Sequence, residues 1–194
     1  MTCRGSRFAD GAKRNPDGQV FMKGRETDEW LQQNHRSTRN FIRKWGHFVK
    51  HDEMMKPIIP PKYDICFYVD NCTLEILEAL EPWCSKIYVE EQDINIIDYI
   101  AKEQKNTSYS LQSRVWYNDG EARLARPWTW LDNNIVVEFD ASKLTNDGFQ
   151  FLTQLPEVLQ DSGEVGEVMQ YDIFEIVINS LKTYEKELIK CRRK

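Results

Sequence analysis

No apolar run in the chain approaches the ~20 residues that a membrane-spanning helix needs. The opening MTCRGSRFADGAKRNPDG lacks the apolar h-region of a secretory signal. Both absences lead to the expectation of a cytoplasmic protein without a membrane partner. Cysteine is sparse: Cys3, Cys66, Cys72, Cys84 and Cys191, an odd set without a CxxC pair. That excludes a disulfide scaffold and reads as reduced thiols, with Cys66 and Cys84 as core residues. The three histidines, His35, His47 and His51, fall far from the cysteines, so no zinc-ligand spacing exists, and all three read as surface residues. There is no Gly-rich phosphate loop; SGEVGE at 162–167 lacks the Lys-Ser/Thr that such a loop requires. No internal repeat and no low-complexity tract is present.

What remains is an ordinary globular composition, 41% hydrophobic and 29% charged, with six Trp, eight Tyr and nine Phe to build a core. Charge is uneven. Residues 1–62 hold 13 Lys+Arg and 7 Asp+Glu, a net of +6, while residues 63–194 hold 13 and 24, a net of −11. The basic residues are dispersed and lack an aromatic-plus-arginine recognition motif, so nucleic-acid binding is not expected.

Residues 1–25 read as irregular, with a turn at NPDG (Asn15–Gly18). Residues 28–45 read as a helix with Asp28 at its start, Trp30, Leu31, Phe41, Ile42 and Trp45 on its apolar side, and Gly46 as its stop. The prolines of MKPIIPPKYD (Pro57, Pro60, Pro61) mark a boundary. Three parts are therefore expected: an irregular segment and helical arm at 1–56, a proline linker at 57–62 and an α/β domain at 63–194.

Within that domain, YDICFYV (63–69) is a buried strand, TLEILEALEPWC a helix, KIYVE (86–90) a second strand, NIIDYIAKEQ a second helix and NIVVEF (134–139) a third strand. Alternating strands and helices predict a Rossmann-like sheet, parallel or mostly parallel, flanked by helices. Ile65, Phe67, Val69, Leu77, Ile87, Val89 and Val136 form its expected core. Residues 104–130 read as a long, mostly irregular connection. DGFQFLTQLPEVLQ has helical spacing, with a kink or a restart at Pro156. The stretch from Tyr171 fits a helix through Ile173, Val177, Leu181, Tyr184 and Leu188, although YDIFEIVI also fits a strand.

Acidic or amide residues directly after buried strands are candidates for ligand contact, because open α/β sheets bind ligands there. They are Asp70 and Asn71, Glu90 (with Glu91 and Asp93), and Asp140. The bland alternative for each is a helix cap or a solvated turn. A second group, Arg114, Arg123 and Arg126 with Trp116, Trp128 and Trp130, could stack on sugars and hold phosphate, or pack under a loop.

The helix ending in Asn40, Phe41, Lys44, Trp45 and Gly46 resembles the helix that closes the catalytic domain of family 2 glycosyltransferases of the GT-A type. KYDICFYVDNCTLEILEALEPWCSKIYVE is similar to the opening β-α-β of that family, and NNIVVEFDASKLTNDGFQFLTQL to its strand leading into an acidic metal motif. The resemblance implies a fragment or accessory domain of an enzyme using nucleotide-diphosphate sugars, as in a truncated gene or a piece of a larger phage-like protein. It implies nucleotide contacts from Asp70 and Asn71 and a Mn2+ or Mg2+ ion at Asp140. Glu90, by its place after a strand, is a candidate for a ribose hydroxyl, and Arg123, Arg126 and Trp128 are candidates for sugar or phosphate contact. It also implies a preceding glycosyltransferase domain, or another protein, as partner. Where the family has Asp-x-Asp, this chain has Asp140-Ala141-Ser142, so the isolated chain is expected to transfer no sugar. The alternative function is a non-catalytic α/β interaction module.

Overall fold

The structure, a computed structural model, describes residues 27–90, 94–118 and 133–184. Expectations for residues 1–25, and for Glu91, Asp93, Arg123, Arg126, Trp128 and Trp130, lie outside the described residues. The chain divides into two compact units, Met1–Thr38 and Arg39–Lys194. The second unit holds the end of the first helix, the proline stretch and the whole sheet.

Helix α1 spans Asp28–Trp45, with Asp28 and Glu29 in its first turn and Arg43 and Lys44 in its last, an arrangement that complements the helix dipole. Thr27, one residue before the expected Asp28, supplies the side-chain oxygen that accepts from Trp30 N at 3.3 Å. Gly46 takes φ +78° and donates its N–H to Ile42 O at 2.7 Å, a left-handed stop that glycine adopts without steric cost. The proline stretch is not a bare linker. Strand β1 (Lys50–His51) pairs antiparallel with β2 (Pro57–Ile58). Their turn is organised by Asp52 Oδ1, which accepts from Met54 N at 2.9 Å and Lys56 N at 2.8 Å.

The main sheet follows: β3 (Ile65–Asp70), α2 (Leu74–Leu80), β4 (Lys86–Glu90), α3 (Ile96–Glu103), β5 (Val115–Asn118), β6 (Ile135–Asp140), α4 (Asn146–Ser162), β7 (Val168–Tyr171) and β8 (Phe174–Ile178). Strand order is β5-β4-β3-β6-β8-β7. The β5/β4, β4/β3 and β3/β6 pairs are parallel, and β6/β8 and β8/β7 are antiparallel. The sheet is thus mixed. The expected strands 63–69, 86–90 and 134–139 are adjacent and parallel, with the first in the middle.

The mostly irregular connection contains an unexpected short strand, β5. Of the two readings open for the last stretch, the strand holds: Ile173 lies in a turn and Val177 in the second arm of a hairpin. Helix α4 runs through Pro156 without a break.

All seven expected core residues are buried. Alternate strand residues (Phe67, Val69, Ile87, Val89, Val137, Phe139) join buried residues of all four helices in one cluster. The other face of the sheet carries a small second cluster of Cys66, Tyr68, Val136 and Val177, with Tyr88 stacked on Tyr68 at 4.6 Å.

Below the apolar cluster lies a buried ionic one. Arg43 of α1 contacts Glu81 Oε2 at 2.6 Å and Glu103 Oε1 at 2.8 Å. Arg114 Nε lies 2.6 Å from Glu81 Oε1, and its guanidinium also donates to the carbonyls of Glu81 and Cys84. Arg39 bridges Glu78 and Glu103 at 3.0 Å each. Arg114 is therefore buried against Glu81 and is not a sugar or phosphate contact. His47 is likewise buried, contrary to its surface reading, with Nδ1 2.6 Å from Phe48 O.

Candidate functional site

The chain order reverses at β3. From there it steps outward through β4 to β5, then returns to the opposite side of β3 as β6. In open α/β sheets, ligands bind outside the carboxyl ends of the strands at such a reversal. The residues at those ends are fixed by register. Asp70, the last residue of β3, pairs with Asp140, the last of β6. Val69 pairs with Val89, so Glu90 is the next residue along β4. Side chains alternate along a strand, so Glu90, Asp70 and Asp140 fall on one sheet face, in a row across three strands. Glu138, two residues before Asp140 on the same continuous strand, shares that face.

The loops after β3 and β6 are joined. Asn71 takes φ +52°, a left-handed conformation that asparagine tolerates better than most residues. Its Nδ2 donates to Asp140 Oδ1 at 2.9 Å. The same oxygen accepts from Ser142 N at 3.0 Å and Ser142 Oγ at 2.7 Å. The other carboxylate oxygen, Oδ2, faces Lys143 Nζ at 3.3 Å. The Ser142 hydroxyl, Asn71 and the Ser142 amide together hold the Asp140 carboxyl well below the usual carboxylate range. Asp140 is thereby the N-cap of a single 3-10 turn, Ala141–Lys143.

The structure brings Asp70, Asn71 and Asp140 together at the joined carboxyl ends of β3 and β6 and puts Glu90 at the neighbouring strand end. None of Asp70, Asn71 or Glu90 caps a helix: Thr73 caps α2, accepting from Ile76 N at 3.3 Å, and Asn95 caps α3. Thr145 caps α4 rather than sharing the turn with Asp140. Sequence reasoning did not single out Lys143, although a lysine three residues after a strand-end carboxylate is a local signal for such a pair. The second arginine group splits. Arg114 is core, Trp116 is exposed on β5, and Arg123, Arg126 and Trp128 lie outside the described residues.

The fit of a divalent ion can be judged from the donors present. Among the described residues, no group of three or more His, Cys, Asp or Glu side chains is placed to hold a metal. Asp140 Oδ1 already accepts three protein donors, and Oδ2 faces an ammonium. This set suits a bridged turn and does not suit Mn2+ or Mg2+. A shallow cleft of about 20 Å3 lies at the opposite end of the sheet, among Gly46, Lys62, Tyr63, Trp83 and Ser85.

Comparison with protein-family models, curated proteins and solved structures finds no match to this chain.

Proposed function

We propose that the chain is a glycosyltransferase-related α/β domain that recognises a nucleoside diphosphate at the carboxyl ends of β3 and β6, and that it transfers no sugar as an isolated chain. The observation that supports this most is the join of Asn71 to Asp140 at the point where strand order reverses, since that is where open α/β sheets take nucleotides. Asp70 and Glu90 stand beside it, in reach of ribose hydroxyls. Positive charge for phosphate comes from Lys143, whose side chain is 68% exposed and can swing from Asp140, and from the amino end of α4 close behind it. The donor set does not fit a divalent ion, so recognition without Mn2+ or Mg2+ follows.

The test is a titration of nucleoside diphosphates into the isotope-labelled full chain, with and without Mn2+. Shifts of the Asn71 and Asp140–Lys143 signals, equal in both conditions and lost in Lys143→Ala, are expected. Absence of shifts at these loops, or binding that requires Mn2+, would sink the reading. A role as a non-catalytic interaction module draws on a separate feature, the apolar surface of the β1–β2 hairpin.

A further inference from the structure

The hairpin of β1 and β2 and its flanks carry exposed apolar side chains. Met54 is 78% exposed, Met55 68% and Ile59 70%, and Phe48, Val49 and Ile58 are exposed as well. Solvated apolar residues in such density mark an interaction surface. The turn itself presents them: Asp52 folds its carboxylate inward onto Met54 N and Lys56 N, and Met55 takes φ +61° at the tip. The finger is held to the body by an ion pair from Lys50 to Glu157 and by Phe48 packed edge-on to Trp83 at 4.8 Å.

Its chemistry narrows the occupant. Pro57 lies within β2 and Pro60 and Pro61 follow it. These residues lack the N–H that strand addition by another chain would use. Lysine is depleted at protein interfaces, yet Lys44, Lys50, Lys56 and Lys62 surround the finger against Asp52, Glu53 and the Lys50 partner Glu157, a net of +1, with Lys62 donating to the carbonyl of Lys44. Residues 63–194 carry −11. At the base of the finger Trp45 is exposed, with Lys44 Nζ 5.0 Å over its ring, the pairing of amphipathic ring and cation that suits a headgroup layer. Apolar tip, aromatic base and lysine collar are the profile of an interfacial anchor.

Position agrees with this. The finger lies at the amino ends of the parallel strands, beside Trp83, just before β4, and Glu157, near the end of α4. The acidic row of Glu90, Asp70 and Asp140 is at the carboxyl ends. An anionic surface would therefore attract one end of the sheet and repel the other. We infer that the 44–62 finger is a peripheral anchor that inserts Met54, Met55, Ile58 and Ile59 into an anionic lipid surface and leaves the carboxyl ends of β3 and β6 facing water. Among the described residues, no helix is long and apolar enough to cross a membrane. The inference does not rest on the nucleotide reading.

The test is co-sedimentation of the full chain with phosphatidylcholine vesicles, with and without phosphatidylglycerol. Binding is expected only with phosphatidylglycerol and should weaken with salt. The double variant Met54→Ser, Met55→Asn should keep the parent's thermal midpoint, since both side chains are wet. Each lost apolar insertion should cost about tenfold or more in vesicle partition. Lys56→Gln should reduce the preference for anionic lipid. Failure of the parent to bind either vesicle would overturn the inference. So would undiminished binding by the double variant. Self-association of the parent that this variant abolishes, without vesicle binding, would identify a second copy of the chain as the occupant instead.

Discussion

Arg43 Nη2 lies 2.6 Å from Glu81 Oε2, and both side chains are fully buried. The pair joins the last turns of α1 to the 3-10 turn that ends α2. Burial alone would lower the Arg43 pKa, but the charge and hydrogen bonds of Glu81 and Glu103 raise it above its ordinary value, so the guanidinium stays charged in the interior. The helix that ends in FIRKWG is thus fixed to this α/β body. A second arginine, Arg114, contacts the other oxygen of the same glutamate.

Glu81 therefore carries two buried cations, and removing its charge leaves both under-compensated. Glu81→Gln should cost about 3–5 kcal/mol of unfolding free energy, because breaking a buried pair strands its partner. Urea denaturation measures this. A midpoint within error of the parent would show that the network does not form.

Phe67 tests the apolar side of the same architecture. It is fully buried on the central strand, edge-on to Phe139 with ring centres 6.1 Å apart. Phe67→Ala should cost about 3–5 kcal/mol, the usual range for a truncated core aromatic. An unchanged denaturant midpoint would remove β3 from the centre of the core.

Much of this layout was legible because burial patterns are local. ICFYV is apolar at every position, as a central strand covered on both faces must be, and Leu77 and Leu80 of α2, a helical step of three apart, are both buried, whereas Leu74 is exposed. Strand β5 was not legible. Val115–Asn118 is four residues long, and it becomes a strand only by pairing with β4. Ile173 and Val177 satisfy a helical step of four and a strand step of two alike. The hairpin wins through Asp172 at φ +51°, a turn conformation no helix contains. His47 reads as a surface residue, and Arg114 as a ligand contact or a residue packed under a loop; the partner that buries Arg114, Glu81, is 33 positions away. At the candidate site, Asp70, Asn71 and Asp140 could be chosen because carboxyl ends of strands are where α/β crevices form. The bond between Asn71 and Asp140 depends on strand order, which no local pattern carries.

Acid should weaken the ionic cluster from the Glu103 side. Burial would raise the Glu103 pKa, but hydrogen bonds from Arg39, Asn106 and Arg43 outweigh it and lower it below the ordinary value. A carboxylate with a depressed folded pKa stabilises the fold above its unfolded pKa of about 4.3, and that contribution disappears as pH falls through the folded value. Stability should thus fall steadily below about pH 4. In Glu103→Gln that limb should be shallower, with lower stability at neutral pH. Parallel pH profiles for parent and variant would contradict the assignment.

Gly46 isolates the helix stop from everything around it. A Cβ built there would meet Lys62 Cγ at 3.6 Å, ordinary contact, so space is not the constraint. The constraint is φ +78°, which puts any Cβ in the left-handed region and costs roughly 1–2 kcal/mol for an L-residue. Gly46→Ala should therefore destabilise by that amount, and Gly46→Asn by less, because asparagine tolerates this conformation. Both substitutions place a Cβ at the same point beside Lys62, so a smaller loss for the bulkier asparagine reports the left-handed backbone conformation. Equal losses in thermal melts would mean that crowding against Lys62 sets the glycine. No loss in either would mean that α1 ends elsewhere and that Arg43 is not held by the turn that follows it.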